Sequence, residues 1–190
     1  MLGGSDCGHT RRVFCVVAFN VLIRPEIPDD YRSIAEINVA AFGSPVEATL
    51  VEQLRAQGLV IASLVAVDDL GQIVGHILFS PVTIVTSGGS KMQIASLAPM
   101  CVLPPYQRKG IGSILVEQGI EACRRANYRA IVLVGHHAYY PRFGFSHAFV
   151  AGLENPFAAD EAFMGLELVP GALSGIQGRV VYPDLFSQFS

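Results

Sequence analysis

Apolar and polar positions along this chain change period several times, and each change marks an element. Asn20-Val-Leu-Ile-Arg-Pro25 reads as a first strand near 20–25. Pro28-Asp29-Asp30 is a helix start, and Tyr31, Ile34, Ile37, Asn38 and Ala41 then recur at helical spacing, which predicts a helix over 30–42. Gly43-Ser44-Pro45 breaks it, Glu47 to Gln57 resumes with Leu50, Val51 and Leu54 on one face, and Gly58 closes the second helix as its C-cap. The period then shortens. Ile61–Val67 is β-rich, Asp68-Asp69-Leu70-Gly71 is a hairpin turn, and Gln72–Val85 is a long strand in which Ser80-Pro81 predicts a bend or an edge. Ser87-Gly88-Gly89-Ser90 turns the chain again into a strand over Met92–Leu103, where Pro99 removes a ladder donor and predicts a local irregularity.

Ile111–Ala126 has the clearest helical pattern, with Arg124 and Arg125 favourably placed near its C-terminal end. Ala130–Val134 is a continuous apolar run, expected as a fully buried strand. Ala138–Phe143 predicts a short helix or turn ended by Gly144, Phe163–Val169 a further strand, and Pro170–Gly175 a loop. The order β, α, α, a three-strand antiparallel meander, then α, β, α, β, without repeat or linker, predicts one α/β domain over 20–190.

Composition narrows the function classes. Of 190 residues, 51% are hydrophobic and 15% charged, so disorder is excluded, and a formal net charge of −3 leaves no basic footprint for nucleic acid. No window reaches the about 18 to 20 apolar residues that cross a membrane. Arg11-Arg12 before the run Cys15–Ile23 looks like the start of an export signal, but Arg24-Pro25-Glu26 follows with no small-x-small cleavage site, so residues 1–19 are read as an N-terminal arm or over-long start. Cys7, Cys15, Cys101 and Cys123 fit neither a zinc site nor a disulfide framework and are expected as reduced thiols in a cytoplasmic protein.

The chemistry sits in Met100-Cys-Val-Leu-Pro-Pro-Tyr-Gln-Arg-Lys-Gly-Ile-Gly-Ser-Ile-Leu115. A strand meets a Pro-braked turn, then Gln107, Arg108, Lys109, Gly110, Ile111, Gly112 and Ser113 at a helix start. The first amides of a helix have no intrahelical acceptor, the dipole is positive there, and glycines let an anion approach the backbone. Such a turn holds a diphosphate, with Arg108 and Lys109 adding charge. The Walker pattern is absent, and Leu115 stands where the dinucleotide fingerprint needs its third glycine.

The pattern Q-x-x-G-x-G after an irregular strand resembles the signature of the GNAT superfamily of N-acetyltransferases. Tyr139-Tyr-Pro-Arg-Phe-Gly-Phe145 is similar to the family's late tyrosine and Gly-Phe segment, and Gly75–Pro81 and Phe163–Leu173 look like the YhbS-like branch. The resemblance runs from about residue 21 to the C-terminus. It implies a GNAT fold: a mixed, mostly antiparallel central sheet flanked by helices, with the strand after the third helix splayed away to leave a cofactor cleft. It implies acetyl-CoA as donor, with Met100, Cys101 and Val102 presenting backbone groups to the pantetheine arm and the amides of Arg108–Ser113 cradling the diphosphate.

Tyr140 stands five residues before Phe145, where the resemblance implies a tyrosine that protonates the departing thiolate; the alternative is a core aromatic under the sheet. For the general base, Glu47 and His76 are candidates. Glu47 doubles as a first-turn acid that complements the helix dipole, and His76 as a satisfied core histidine on an apolar strand. His136-His137 follows the buried strand with no further metal ligand at a convincing spacing. The function implied is transfer of an acetyl group to a primary amine, carried by a small molecule or a peptide, by direct attack in a ternary complex. The rival is a non-catalytic acyl-CoA sensor, which needs the same loop but not Tyr140. No nucleic-acid or membrane partner is expected, and the reading is compatible with a homodimer without requiring one.

Overall fold

In the computed structural model of the chain, residues 20–157 and 160–189 are described; the expected arm 1–19 lies outside them. The sequence places β1 at Leu22–Pro25, α1 at Tyr31–Phe42 and α2 at Val46–Ala56, followed by β2 at Ala62–Val67, β3 at Ile73–Thr86 and β4 at Lys91–Val102. Next come α3 at Ile111–Arg125, β5 at Ala130–Val134, β6 at Leu153–Glu154, β7 at Phe163–Glu167 and β8 at Gly178–Val181. The sheet runs β1-β2-β3-β4-β5-β7, antiparallel at every step except the parallel β4–β5 pair. This is the mixed, mostly antiparallel arrangement expected of the GNAT fold.

The meander is apolar on both faces because both are covered. Leu64 and Ala66 pack with Ile77, Phe79 and Leu115 under α3, whereas Val65 and Leu78 pack with Ile34, Leu50 and Leu54 of α1 and α2. Phe79 lies directly on the bare backbone of Gly119, which lets α3 sit close to the sheet. Local chemistry sets the helix ends. Arg24 grips Asp30 through two hydrogen bonds, 2.6 and 2.9 Å, and Asp30 also accepts the Ile27 amide at 2.8 Å, tying β1 to the start of α1. Gly58 adopts φ +67, and the Leu59 amide reaches back to the Leu54 carbonyl, 2.8 Å, as the expected glycine stop requires.

Both proline expectations hold. Phe79 is the last β3 residue opposite β2, at Ala62, and Thr83 is the first opposite β8, at Val181; Pro81 falls in the gap between these partners, facing only Ala95 of β4. On β4, Ile77 faces Met100 while Phe79 faces Leu97, so β4 takes three steps where β3 takes two, a bulge at Ala98-Pro99, whose peptide is cis. The bulge is followed by a parting. β4 and β5 pair only at Ala95–Ile131 and Ser96–Val132, and past them the β5-facing edge of β4 has no partner strand among the described residues.

The expected helix or turn at 138–143 is a 3-10 turn, Tyr140–Phe143, closed by Gly144 at φ +90. The short strands β6 and β8 and the 3-10 segment Asp184–Phe189 are additions that sequence reasoning missed. No helix among the described residues is long and apolar enough to cross a membrane.

Candidate active site

Beyond the bulge, the chain is pinned before it turns into α3. Gln107 Nε2 donates to the Val102 carbonyl, 2.9 Å, and the Tyr106 hydroxyl donates to Asp68 Oδ2, 2.7 Å, anchoring the Pro104–Tyr106 turn to the β2–β3 hairpin. Arg108 at φ +59 and Gly110 at φ +86 then reverse the backbone twice in three residues. Arg108 accepts a conformation that costs an L-residue strain, which fits a loop shaped for a purpose other than stability. Ile114 is the first amide of α3 to find a helical acceptor, the Gly110 carbonyl at 3.1 Å, so the amides before it open on the helix end.

The predicted loop residues divide. Gln107, Arg108, Gly110, Gly112 and Ser113 line a cleft of about 1270 Å³, whereas Ile111 turns its side chain into the core and Lys109 sits with its ammonium 5.4 Å from the Tyr106 ring centre. Ile111 therefore offers only backbone. Met100, Cys101 and Val102 also line the cleft. Burial, with the Glu47 charge adding to it, pushes the Cys101 thiol up to about 12, so this cysteine is no nucleophile.

The cleft passes through the sheet at the parting. On the α3 side stand Tyr139 and Tyr140, and on the α1–α2 side Glu47 and Leu50, three residues apart on one face of α2. Tyr140 is both a cleft residue and a core aromatic. It lines the cleft yet is only 8% exposed, edge-on to Tyr139 and Phe145 at centroid distances of 5.1 and 5.8 Å. Burial, and then the neighbouring Tyr139, hold its phenol well above the ordinary tyrosine range. Glu47 sits in the first turn of α2, where Ser44 Oγ donates to its Oε2 at 3.1 Å.

His76 is placed differently from the expectation that it serves as a base. It is fully buried and is not part of the cleft wall. Ser63 spends its one proton on Glu26 Oε2, so at 2.9 Å from Ser63 Oγ the His76 Nε2 must be the donor. Nδ1 then accepts from Asn38 Nδ2 at 3.3 Å, whose other hydrogen goes to the Ile34 carbonyl, 2.8 Å. Burial pushes the imidazole down to about 3, aided by the Arg55 charge and opposed by Glu26. It is a neutral, satisfied core histidine, and as a proton acceptor for substrate it is withdrawn.

The aromatic wall on the α1–α2 side of the cleft was missed. Phe157 and Tyr182 meet edge-on at 4.7 Å, and Tyr182 and Phe186 lie 5.1 Å apart, all three lining the cleft. Burial pushes the Tyr182 phenol up to about 12 against a hydrogen bond with Ser96, itself on the cleft wall. Only the β-branched and aromatic run Val180-Val-Tyr182 hints at this wall in sequence. Arg142 was also overlooked; its Nε donates to the Tyr139 carbonyl, 2.9 Å, and its guanidinium lies 4.7 Å from the Tyr139 ring centre.

Comparison with known proteins agrees with this geometry. Residues 31–145 match the model of the acetyltransferase (GNAT) family. The chain is 37% identical over 170 residues to the uncharacterized N-acetyltransferase YhbS of Escherichia coli K12, covering 89% of this chain and all of that one. The crystal structure of Escherichia coli YhbS in complex with CoA superposes with a TM-score of 0.84 at 36% identity, covering 91% of this chain and 95% of that one. A GNAT acetyltransferase from Brucella melitensis in complex with acetyl-CoA gives 0.73 at 36% identity over 88% and 99%. With the Q-x-x-G-x-G turn, the bulged strand and the parted sheet in place, the chain belongs to the acetyltransferase (GNAT) family.

Proposed function

We propose that this chain transfers an acetyl group from acetyl-CoA to a primary amine by direct attack within a ternary complex. The observation that carries the reading is the parting of β4 from β5 past Ser96 and Val132, directly beside a helix start whose first amides have no helical acceptor. The two relatives solved with CoA and acetyl-CoA support the donor.

The residues fit that donor. Gly112 has no room for a side chain beneath Tyr139, so backbone is what the helix end presents, and Arg108 adds charge beside it. The amides of Gly110, Gly112 and Ser113 would hold the diphosphate, and the unpaired edge of β4 at Met100–Val102 the pantetheine arm. Acetyl-CoA supplies an acyl group already activated as a thioester. A backbone amide on that β4 edge would hydrogen-bond the acyl carbonyl oxygen and stabilise the negative charge that grows there. Tyr140, kept protonated by its buried setting, gives its proton to the departing sulfur and regains one from solvent. Glu47, the carboxylate on the cleft wall, takes the ammonium proton, directly or through water, and the second nitrogen proton passes to solvent as the amide forms.

The test is calorimetric titration of acetyl-CoA into the purified chain, with Gly112→Glu as control, followed by thiol release with an amine panel. Submillimolar binding lost in the variant, and amine-dependent CoA release, are the expected results. Folded protein that ignores acetyl-CoA overturns the proposal. Binding without release for any amine favours the sensor.

A further inference from the structure

Resting on the transferase reading, we infer that the acceptor is a primary amine carried on a flat aromatic body, with its ammonium at Glu47. The α1–α2 side of the cleft is walled by Phe42, Phe157, Tyr182 and Phe186, and Leu50 continues the apolar surface along α2. Phe42 is 43% exposed, a large apolar side chain held at the mouth where water would otherwise be preferred. Phe157 meets Tyr182 edge-on and Tyr182 tilts against Phe186, so the three rings form one continuous aromatic wall against which the ring of a ligand can stack.

The charges complete the selection. Among the described residues, Glu47 is the one acidic side chain lining the cleft. Ser44 holds its Oε2, and among the described residues its Oε1 has no partner. The lining cations, Arg108 and Arg142, belong to the α3 side: one precedes the helix and the other lies over Tyr139. A polyamine or an aminosugar with several ammonium groups would find one carboxylate where it needs more. A free amino acid would find, among the described residues, no arginine or lysine on the aromatic wall for its own carboxylate. A monocationic arylalkylamine satisfies both the aromatic wall and the single charge.

The experiment compares initial rates of CoA release with 2-phenylethylamine, spermidine, glucosamine and an Nα-acetylated lysine peptide at saturating acetyl-CoA. It is repeated for Phe42→Ala and Phe157→Ala, and the binding of 2-phenylethylamine to the CoA-loaded protein is titrated alongside. The expected result is a kcat/KM for 2-phenylethylamine at least about tenfold above the others. Each alanine should raise its KM about five- to tenfold while acetyl-CoA affinity stays within about twofold. Phe42, being half exposed at a helix end, keeps the test open should Phe157→Ala misfold. Equal or faster turnover of spermidine, glucosamine or the peptide overturns the inference and leaves the transferase reading standing. An effect of the wall variants on acyl-chain preference alone, with none on the amine, also overturns it. Failure to bind acetyl-CoA at all would remove the transferase reading beneath it.

Discussion

Tyr139 lies across Gly112, with its phenolic oxygen 2.7 Å from the point a β-carbon on Gly112 would occupy. The next ring atom, Cζ, is 3.8 Å from that point, an ordinary contact. The hydroxyl alone therefore forbids a methyl group at this position, and the ring behind it would not.

Gly112→Ala is accordingly expected to push Tyr139 off the helix end and to weaken acetyl-CoA binding by about tenfold, or 1.4 kcal/mol. In the Tyr139→Phe background the same change should cost much less, because the clashing atom is gone. Calorimetric titration of the four proteins measures the coupling. Equal losses in both backgrounds would show that Gly112 matters through the anion alone.

The features that position this site were legible where local chemistry dictates them. Gln107, Gly110 and Gly112 announce a helix start, and Pro81 and Pro99 announce their irregularities, because a missing donor or side chain acts on its own neighbours. What escaped depends on distant partners. Gly178–Val181 is a strand only because β3 leaves β2 at Phe79 and needs a new neighbour from Thr83 onward. The aromatic wall joins Phe157 to Tyr182 and Phe186 across loops with no shared period. His76 carries a plausible pKa in sequence and loses it in the fold, since burial is a tertiary property.

Tyr140→Phe should leave acetyl-CoA affinity within about twofold and lower kcat about a hundredfold, the ordinary contribution of a positioned proton donor. The sign of its shift adds a second expectation. Burial holds the phenol above its ordinary pKa of 10.0, so the protonated form persists through that pH and kcat should not decline as pH rises to it. Stopped-flow or steady-state thiol release from pH 7 to 10 reads both, and a wild-type alkaline limb well below 10 would exclude Tyr140 as the donor.

His76 predicts an acid-side loss of stability. Its pKa is about 3 in the fold against 6.5 as a free side chain, so between these values the unfolded chain holds the extra proton and stability falls as pH falls. By pH 5 the cost is roughly 2 kcal/mol relative to neutral pH. Protonation would also set a new N–H on Nδ1 against the Asn38 amide donor. Glu26 adds little between pH 7 and pH 5. Burial raises its carboxyl, the Arg55 and Ser63 hydrogen bonds outweigh that, and the net downward shift acts mainly below its ordinary 4.5. Urea unfolding at pH 7 and 5 should show the loss in the native protein and little of it in His76→Gln.

The same network rests on one ion pair. Arg55 grips Glu26 through two hydrogen bonds, 2.6 and 2.8 Å, with side chains only 10% and 12% exposed, and its guanidinium also covers the Tyr31 ring at 4.1 Å. Glu26 in turn takes the Ser63 proton that fixes the tautomer of His76. Arg55→Met removes one partner and strands a nearly buried carboxylate, which costs about 3 to 5 kcal/mol when nothing else compensates it. Arg55→Met with Glu26→Gln removes both charges and should recover a large part of that loss, because the expense lies in the uncompensated charge more than in the missing attraction. Since Arg55 lies in the last turn of the helix whose first turn carries Glu47, the single variant should also raise the KM for amine more than that for acetyl-CoA. Urea midpoints of the three proteins decide the energetic claim: a double variant no more stable than Arg55→Met alone would mean that the arginine acts through its packing on Tyr31 and not through its charge.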